Sequence, residues 1–120
     1  MYYGNHSCSW DNKGVSFLDT STPGKAYGVA YLISIHQFEH IFKEENGGCF
    51  PKAESIWYNK KLKLGTINNI PVMTFTNAGI VDKVDAGERY LDVIIEGLKE
   101  NYDSLSIEEI NEYVISRNNS

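Results

Sequence analysis

The run Ala26 to Asn46, A-Y-G-V-A-Y-L-I-S-I-H-Q-F-E-H-I-F-K-E-E-N, sets the tightest limit on what this chain can become. Apolar β-branched and aromatic residues pass without a break into a sequence of helical periodicity. Tyr27 to Ile33 reads as a mostly buried strand, with Gly28 marking a bulge or a close backbone approach. Ser34 followed three residues later by Gln37 fits a capping box, so the helix begins at once. Ile35, Phe38, Ile41 and Phe42 recur at helical spacing and form one apolar face. Asn46-Gly47-Gly48 ends it, since these residue types tolerate the left-handed conformation common after a helix C-terminus.

An advance of about 100° per residue sets His36, His40, Lys43 and Glu44 on the solvent side and Glu45 beside Phe38, Ile41 and Phe42. A carboxylate on the packed side is costly, because desolvation disfavours its charged form and raises its pKa towards the range of acid-base work. The same position lies in the last helical turn, where a side chain can swing into water as an ordinary surface acid. The pattern leaves both readings open. The first expects Glu45 to be inaccessible and to line a pocket, with Glu44 exposed.

A chain of 120 residues suits one domain, residues 1–120, which can bury a core without disulfides or metal. A formal charge of -5 and a pI near 5.1 argue against nucleic acid or an anionic membrane as partner, which favours a small solute. No apolar run is long enough to span a bilayer, and the polar residues after Met1 do not resemble a signal peptide, so the expected location is the cytoplasm. Cys8 and Cys49 form no C-x-x-C pattern and are expected as reduced thiols.

Met1 to Asn5 and Val15 to Leu18 read as short strands separated by a polar turn containing Trp10. Glu54 to Leu64 shows partial alternation, Gly65 to Asn69 a turn, and Ile70 to Thr76 a strand, which together suggest a hairpin. Pro71 belongs at an edge or a strand start because it cannot donate to a ladder. Gly87 to Tyr102 reads as a helix with Tyr90, Leu91, Val93, Ile94 and Leu98 on one face. Gly97 lies on that face, which suggests close approach of a strand. A last helix opens with a capping box at Ser106 and Glu109 and buries Ile107, Ile110 and Val114. His36 and His40 have the spacing of paired zinc ligands, yet H-Q-F-E-H lacks the H-E-x-x-H order and a third ligand, so solvated histidines are the better reading.

Trp10 with G-V-S-F-L, then A-Y-G-V-A-Y-L-I-S with K-E-E-N, then Tyr90, Ile94, Gly97 and Glu100 form three blocks that resemble, in the same order, those of the gamma-glutamylcyclotransferase-like family. Trp10 with G-V-S-F-L at Gly14 to Leu18 is similar to its tryptophan loop and following strand. A-Y-G-V-A-Y-L-I-S with the helix ending K-E-E-N is similar to its central strand and catalytic helix. Tyr90, Ile94, Gly97 and Glu100 match the spacing of its C-terminal helix signature. The resemblance implies an α+β fold, a partly closed β-barrel with flanking helices and a pocket at its mouth. It also implies cleavage of a gamma-glutamyl amine or peptide by its own α-amino group, releasing 5-oxoproline without cofactor or metal. Glu45 matches the catalytic glutamate, Gly28 is expected among the substrate-binding residues, and Tyr58 stands roughly where a family tyrosine reaches the ligand, with a packed strand aromatic as the alternative.

One departure bears on this expectation. The family opens with a strand and a Y-G-S-N-type turn whose N–H groups receive an anion. Tyr3-Gly4-Asn5 imitates it but stands too close to the central strand, so the resemblance implies a chain shortened at its amino terminus. A missing strand would leave a sheet edge for another chain to complete, and the expected outcome is a homodimer or higher species with Met1 to Asn5 in its interface and with little or no cyclotransferase activity by itself. A non-catalytic binding pocket, or an interaction protein that exchanges strands, remains the alternative on the same fold.

Overall fold

The phenol of Tyr3 donates a hydrogen bond of 2.8 Å to the carbonyl of Val114, 111 residues along the chain, and the first strand and the last helix are thereby joined. The computed structural model describes residues 1–118; Asn119 and Ser120 lie outside the described residues. In chain order the elements are β1 (Tyr2–Ser7), β2 (Lys13–Phe17), α1 (Ile35–Glu45), β3 (Lys60–Ile67), β4 (Ile70–Thr76), α2 (Glu88–Asn101) and α3 (Ile107–Ile115). The fold is α+β, with two small antiparallel sheets among the described residues, β1 with β2 and β3 with β4. The chain divides into two compact units, residues 1–27 with 82–120, and residues 28–81.

In the first unit β1 pairs with β2 through Tyr2 and Phe17, Tyr3 and Ser16, and Gly4 and Val15. The polar link between them turns through Asp11 and Asn12, both at positive φ (63° and 57°), where a short polar side chain tolerates the left-handed region. The other edge of β1 is occupied too. Asn5 N–H donates to the Asp82 carbonyl at 2.9 Å and Val84 N–H donates to the Tyr3 carbonyl at 3.2 Å. Tyr2, Tyr3, Gly4 and Asn5 are all buried. Met1 to Asn5 is therefore not the open dimer edge expected from the sequence, because residues 82–84 of the same chain complete it.

The core of this unit is Leu98, Ile110 and Val114, with Tyr27, Leu91, Ile94, Ile95, Tyr102, Leu105 and Tyr113 packed around them. α3 opens with both bonds of the Ser106 and Glu109 capping box. The inward stripes are narrower than the periodicity suggested: Val93 and Ile107 are 55% and 59% exposed, while Ile110 and Val114 are sealed. Ile107 sits in the first turn of α3, where an apolar residue can overhang the surface that the rest of the helix covers.

In the second unit α1 lies on one face of the β3–β4 hairpin. Phe75 of β4 meets Phe38 and Phe42 of α1 at ring centroid distances of 6.0 and 5.4 Å. The hairpin turns at Asn68 and Asn69, with φ of 49° and 65°, the pair of left-handed residues that a two-residue hairpin loop requires. Gly65, at φ 116°, marks a register shift in β3. Pro71 stands second in β4, as expected of a residue without an N–H. Tyr27 to Ile33, expected as a central strand, forms neither strand nor helix, and Val29 to Ile33 is exposed throughout. A run rich in strand-forming residues needs a neighbour to pair with, and none stands here among the described residues.

Two glycines have opposite roles. A Cβ on Gly14 would stand 1.9 Å from the Val84 carbonyl oxygen, whereas a Cβ on Gly97 would meet nothing within 4 Å outside its own helix. No strand therefore approaches Gly97, contrary to the sequence expectation. Gly97→Ala is expected to stabilise the protein by about 0.5–1 kcal/mol through helix propensity, and Gly14→Ala to destabilise it by about 1–3 kcal/mol through overpacking. Thermal unfolding of both variants checks this, and opposite signs are the required result.

Candidate functional site

The helix expected to carry the catalytic acid forms as its caps dictate. Ser34 Oγ accepts from Gln37 N–H at 3.1 Å and Gln37 Oε1 accepts from Ser34 N–H at 2.8 Å, which fixes the first turn of α1. Phe42 is the buried residue of this helix, and Glu39, on the same side, forms an ion pair with Lys61 of β3. Lys61 also stands over the Phe42 ring, 5.1 Å from its centroid.

Glu45 and Glu44 are both exposed. The expectation of an inaccessible Glu45 is thus overturned, and the cause is its place in the last turn. Among the described residues its carboxylate has no hydrogen-bond or ion-pair partner. The helical wheel took no account of where the packed surface stops.

Asn46 is what stops it. Its Nδ2 donates to the carbonyls of Phe42 and Tyr58, both at 2.9 Å, and its Oδ1 accepts from Tyr58 N–H at 3.0 Å. One carboxamide thereby engages both backbone groups of Tyr58 as a neighbouring strand would. Asn77, 7% exposed, works similarly by donating to the carbonyls of Ser55 and Trp57, and Asn59 ties Ala53 to Ala78. These three asparagines organise the loop beside the end of α1. Sequence reading took Asn46 as a helix stop and passed over Asn59 and Asn77, because their partners lie up to 22 residues away and depend on the path of the loop.

The other expected site residues fall on either side of this arrangement. Tyr58 is half-buried, with its ring edge-on to Phe75 at a centroid distance of 5.4 Å. Gly28 is exposed, and a Cβ there would meet nothing within 4 Å, so no backbone approach explains this glycine. His36 and His40 are exposed, and no group of three His, Cys, Asp or Glu among the described residues could hold a metal ion. Cys8 and Cys49 are exposed and unbridged. No helix among the described residues is long and apolar enough to cross a membrane.

In the first unit, two of the three blocks that carry the family resemblance pack on each other. The Trp10 and Tyr90 rings meet edge-to-face at 4.9 Å, and the Arg89 guanidinium lies 4.4 Å over the Trp10 ring while donating to the Ser9 carbonyl at 2.8 Å. Tyr90 Oη accepts from Ser16 N–H at 2.9 Å and bonds Ser16 Oγ at 3.0 Å. Tyr3-Gly4-Asn5 is a strand here, and the Asn5 N–H is engaged by Asp82, so it is not a cradle for an anion. The Asp19 carboxyl is held down to about 2 by hydrogen bonds from the Ser21 hydroxyl, at 2.6 Å, and N–H, at 2.8 Å. No protein family, curated protein or solved structure matches the chain.

Burial, reinforced by the neighbouring Tyr90 hydroxyl, pushes the Tyr3 phenol up, although Arg117 opposes the shift. The neutral phenol is the form that the fold prefers. Its contribution is therefore complete below the unfolded-state value of about 10 and is lost as pH rises beyond it. Tyr3→Phe is expected to cost about 1–2 kcal/mol at pH 7 through the lost bond to Val114, and to show a shallower fall in stability above pH 10 than the wild type. Urea unfolding across pH 7–11 measures both; parallel curves for the two proteins would contradict this role for Tyr3.

Proposed function

We propose that this chain is a gamma-glutamylcyclotransferase-like protein, a partly closed barrel with flanking helices that converts a gamma-glutamyl amine or peptide to 5-oxoproline. The single observation that supports this most is the direct packing of the tryptophan-loop block on the C-terminal helix block, through Trp10, Ser16 and Tyr90. Those blocks lie 74 residues apart in the sequence, so order alone did not require them to meet.

In this reading Glu45, as carboxylate, takes a proton from the α-ammonium of the substrate. The freed amine attacks the side-chain carbonyl carbon and a C–N bond closes the five-membered ring. The bond to the departing amine then breaks, and Glu45 returns the proton to that nitrogen, so no cofactor or metal enters the balance. The unpartnered Glu45 carboxylate is open to an incoming substrate. Because the Asn5 N–H is already engaged, the donors for the substrate carboxylate come from a neighbouring subunit, and the working form is a homo-oligomer. In this reading Tyr58 and Gly28 are the substrate contacts. The place of action is the cytoplasm.

A second reading, an interaction protein that exchanges strands on the same fold, is favoured by the solvation of Glu45 together with the unpaired run Val29 to Ile33. A 5-oxoproline assay over a panel of gamma-glutamyl amines separates the two. The enzyme reading expects release by the wild type and a fall of about 10²–10⁴-fold in Glu45→Gln, with binding changed less. Equal turnover in Glu45→Gln would remove the assigned base. No release from any substrate under oligomeric conditions would leave the second reading.

A further inference from the structure

Val29 to Ile33 is a short apolar run that lies between Tyr27, tied into the first unit, and Ser34, tied into the second. On the amino-terminal side, Tyr27 N–H donates to the Tyr113 hydroxyl at 3.1 Å, and the Tyr27 ring packs edge-to-face on Tyr102 and Tyr113. On the other side, Ser34 is locked by the capping box of α1. Between these anchors, Val29, Ala30, Tyr31, Leu32 and Ile33 lie outside helix and strand and make no backbone hydrogen bond among the described residues. Tyr31 and Leu32 are 77% and 82% exposed, and Ile35 follows at 59%.

An exposed run of this composition is a template for pairing with another chain. Whatever covers it has to be uncharged, extended and rich in strand-forming side chains. The same run of a second copy meets all three conditions. No charged residue stands between Ala26 and Ile35, so antiparallel pairing about a two-fold axis brings no like charges together.

We infer that the chain forms a two-fold dimer through antiparallel pairing of Val29 to Ile33 with the same residues of a second copy, with Ile35 at the border of the contact. Edge-to-edge pairing covers only part of the exposed Val29, Tyr31, Leu32, Ile33 and Ile35 side chains, a contact smaller than the standard interface of about 800 Å² per partner, so the dimer dissociates on dilution. This rests on the homo-oligomer part of the reading above and moves the contact away from Met1 to Asn5.

Light scattering of the full chain over roughly 5–500 μM tests it. The expected result is a mass rising from 13.6 kDa towards twice that value with concentration. Tyr31→Lys and Leu32→Glu each raise the dissociation constant by about 10-fold or more, with an unchanged far-ultraviolet circular dichroism spectrum because both side chains are exposed. Ile67→Lys, at an exposed apolar position on the hairpin, serves as the control and leaves the dimer intact. A single mass of 13.6 kDa at every concentration would overturn the inference and the homo-oligomer reading together. A dimer insensitive to Tyr31→Lys and Leu32→Glu, or dispersed by Ile67→Lys alone, would overturn this inference and leave the homo-oligomer standing.

Discussion

The first unit depends on the burial of Tyr3. Its ring packs edge-on against Tyr90 of α2 at a centroid distance of 6.2 Å, and its hydroxyl satisfies a carbonyl in the last turns of α3. A helix end has carbonyls without intrahelical partners, and a buried one left unsatisfied costs about as much as a lost hydrogen bond. The strand therefore completes the helix at the same point where the helix covers the strand. Residues 82–84 close the outer edge of β1, and the Gly14 N–H, donating to the Asp85 carbonyl at 2.9 Å, extends the same seam.

The second unit is built differently. Phe42 and Val81 are its buried apolar residues among those described, and a large part of its loop structure is held by asparagine carboxamides instead of by packing. A two-stranded hairpin with one covering helix buries little and is of marginal stability by itself. Many of the chain's exposed large apolar side chains, including Tyr31, Leu32, Phe50, Ile56 and Leu64, belong to this unit. The interaction reading starts from this exposed apolar surface.

What was legible in the sequence was local. The capping boxes at Ser34 and Ser106 span three residues each, and both form with their two reciprocal bonds. The hairpin was legible for the same reason, since its turn residues are adjacent, although Gly65 proved to be a bulge and Asn68-Asn69 the turn. The strand assigned to Tyr27 through Ile33 failed because strand propensity expresses fit to a neighbour that the sequence does not identify. Of the two readings open for Glu45, the ordinary surface acid is the one the structure shows, because a helical wheel has no ends: it does not tell whether a wall lies beside the residue. The asparagine links and the Tyr3 bond to Val114 left no local signal, as each joins positions that only the folded path brings together.

The central claim is that a well-packed first unit, tied by Tyr3, accompanies a second unit of lower intrinsic stability. Native-state hydrogen exchange on dilute protein tests it most directly. The account predicts that amides of Tyr3 and of Ile110 to Val114 exchange only through global unfolding, while those of the Lys60–Thr76 hairpin open at distinctly lower free energy. Equal protection in the two units, or a hairpin more protected than α3, would contradict it.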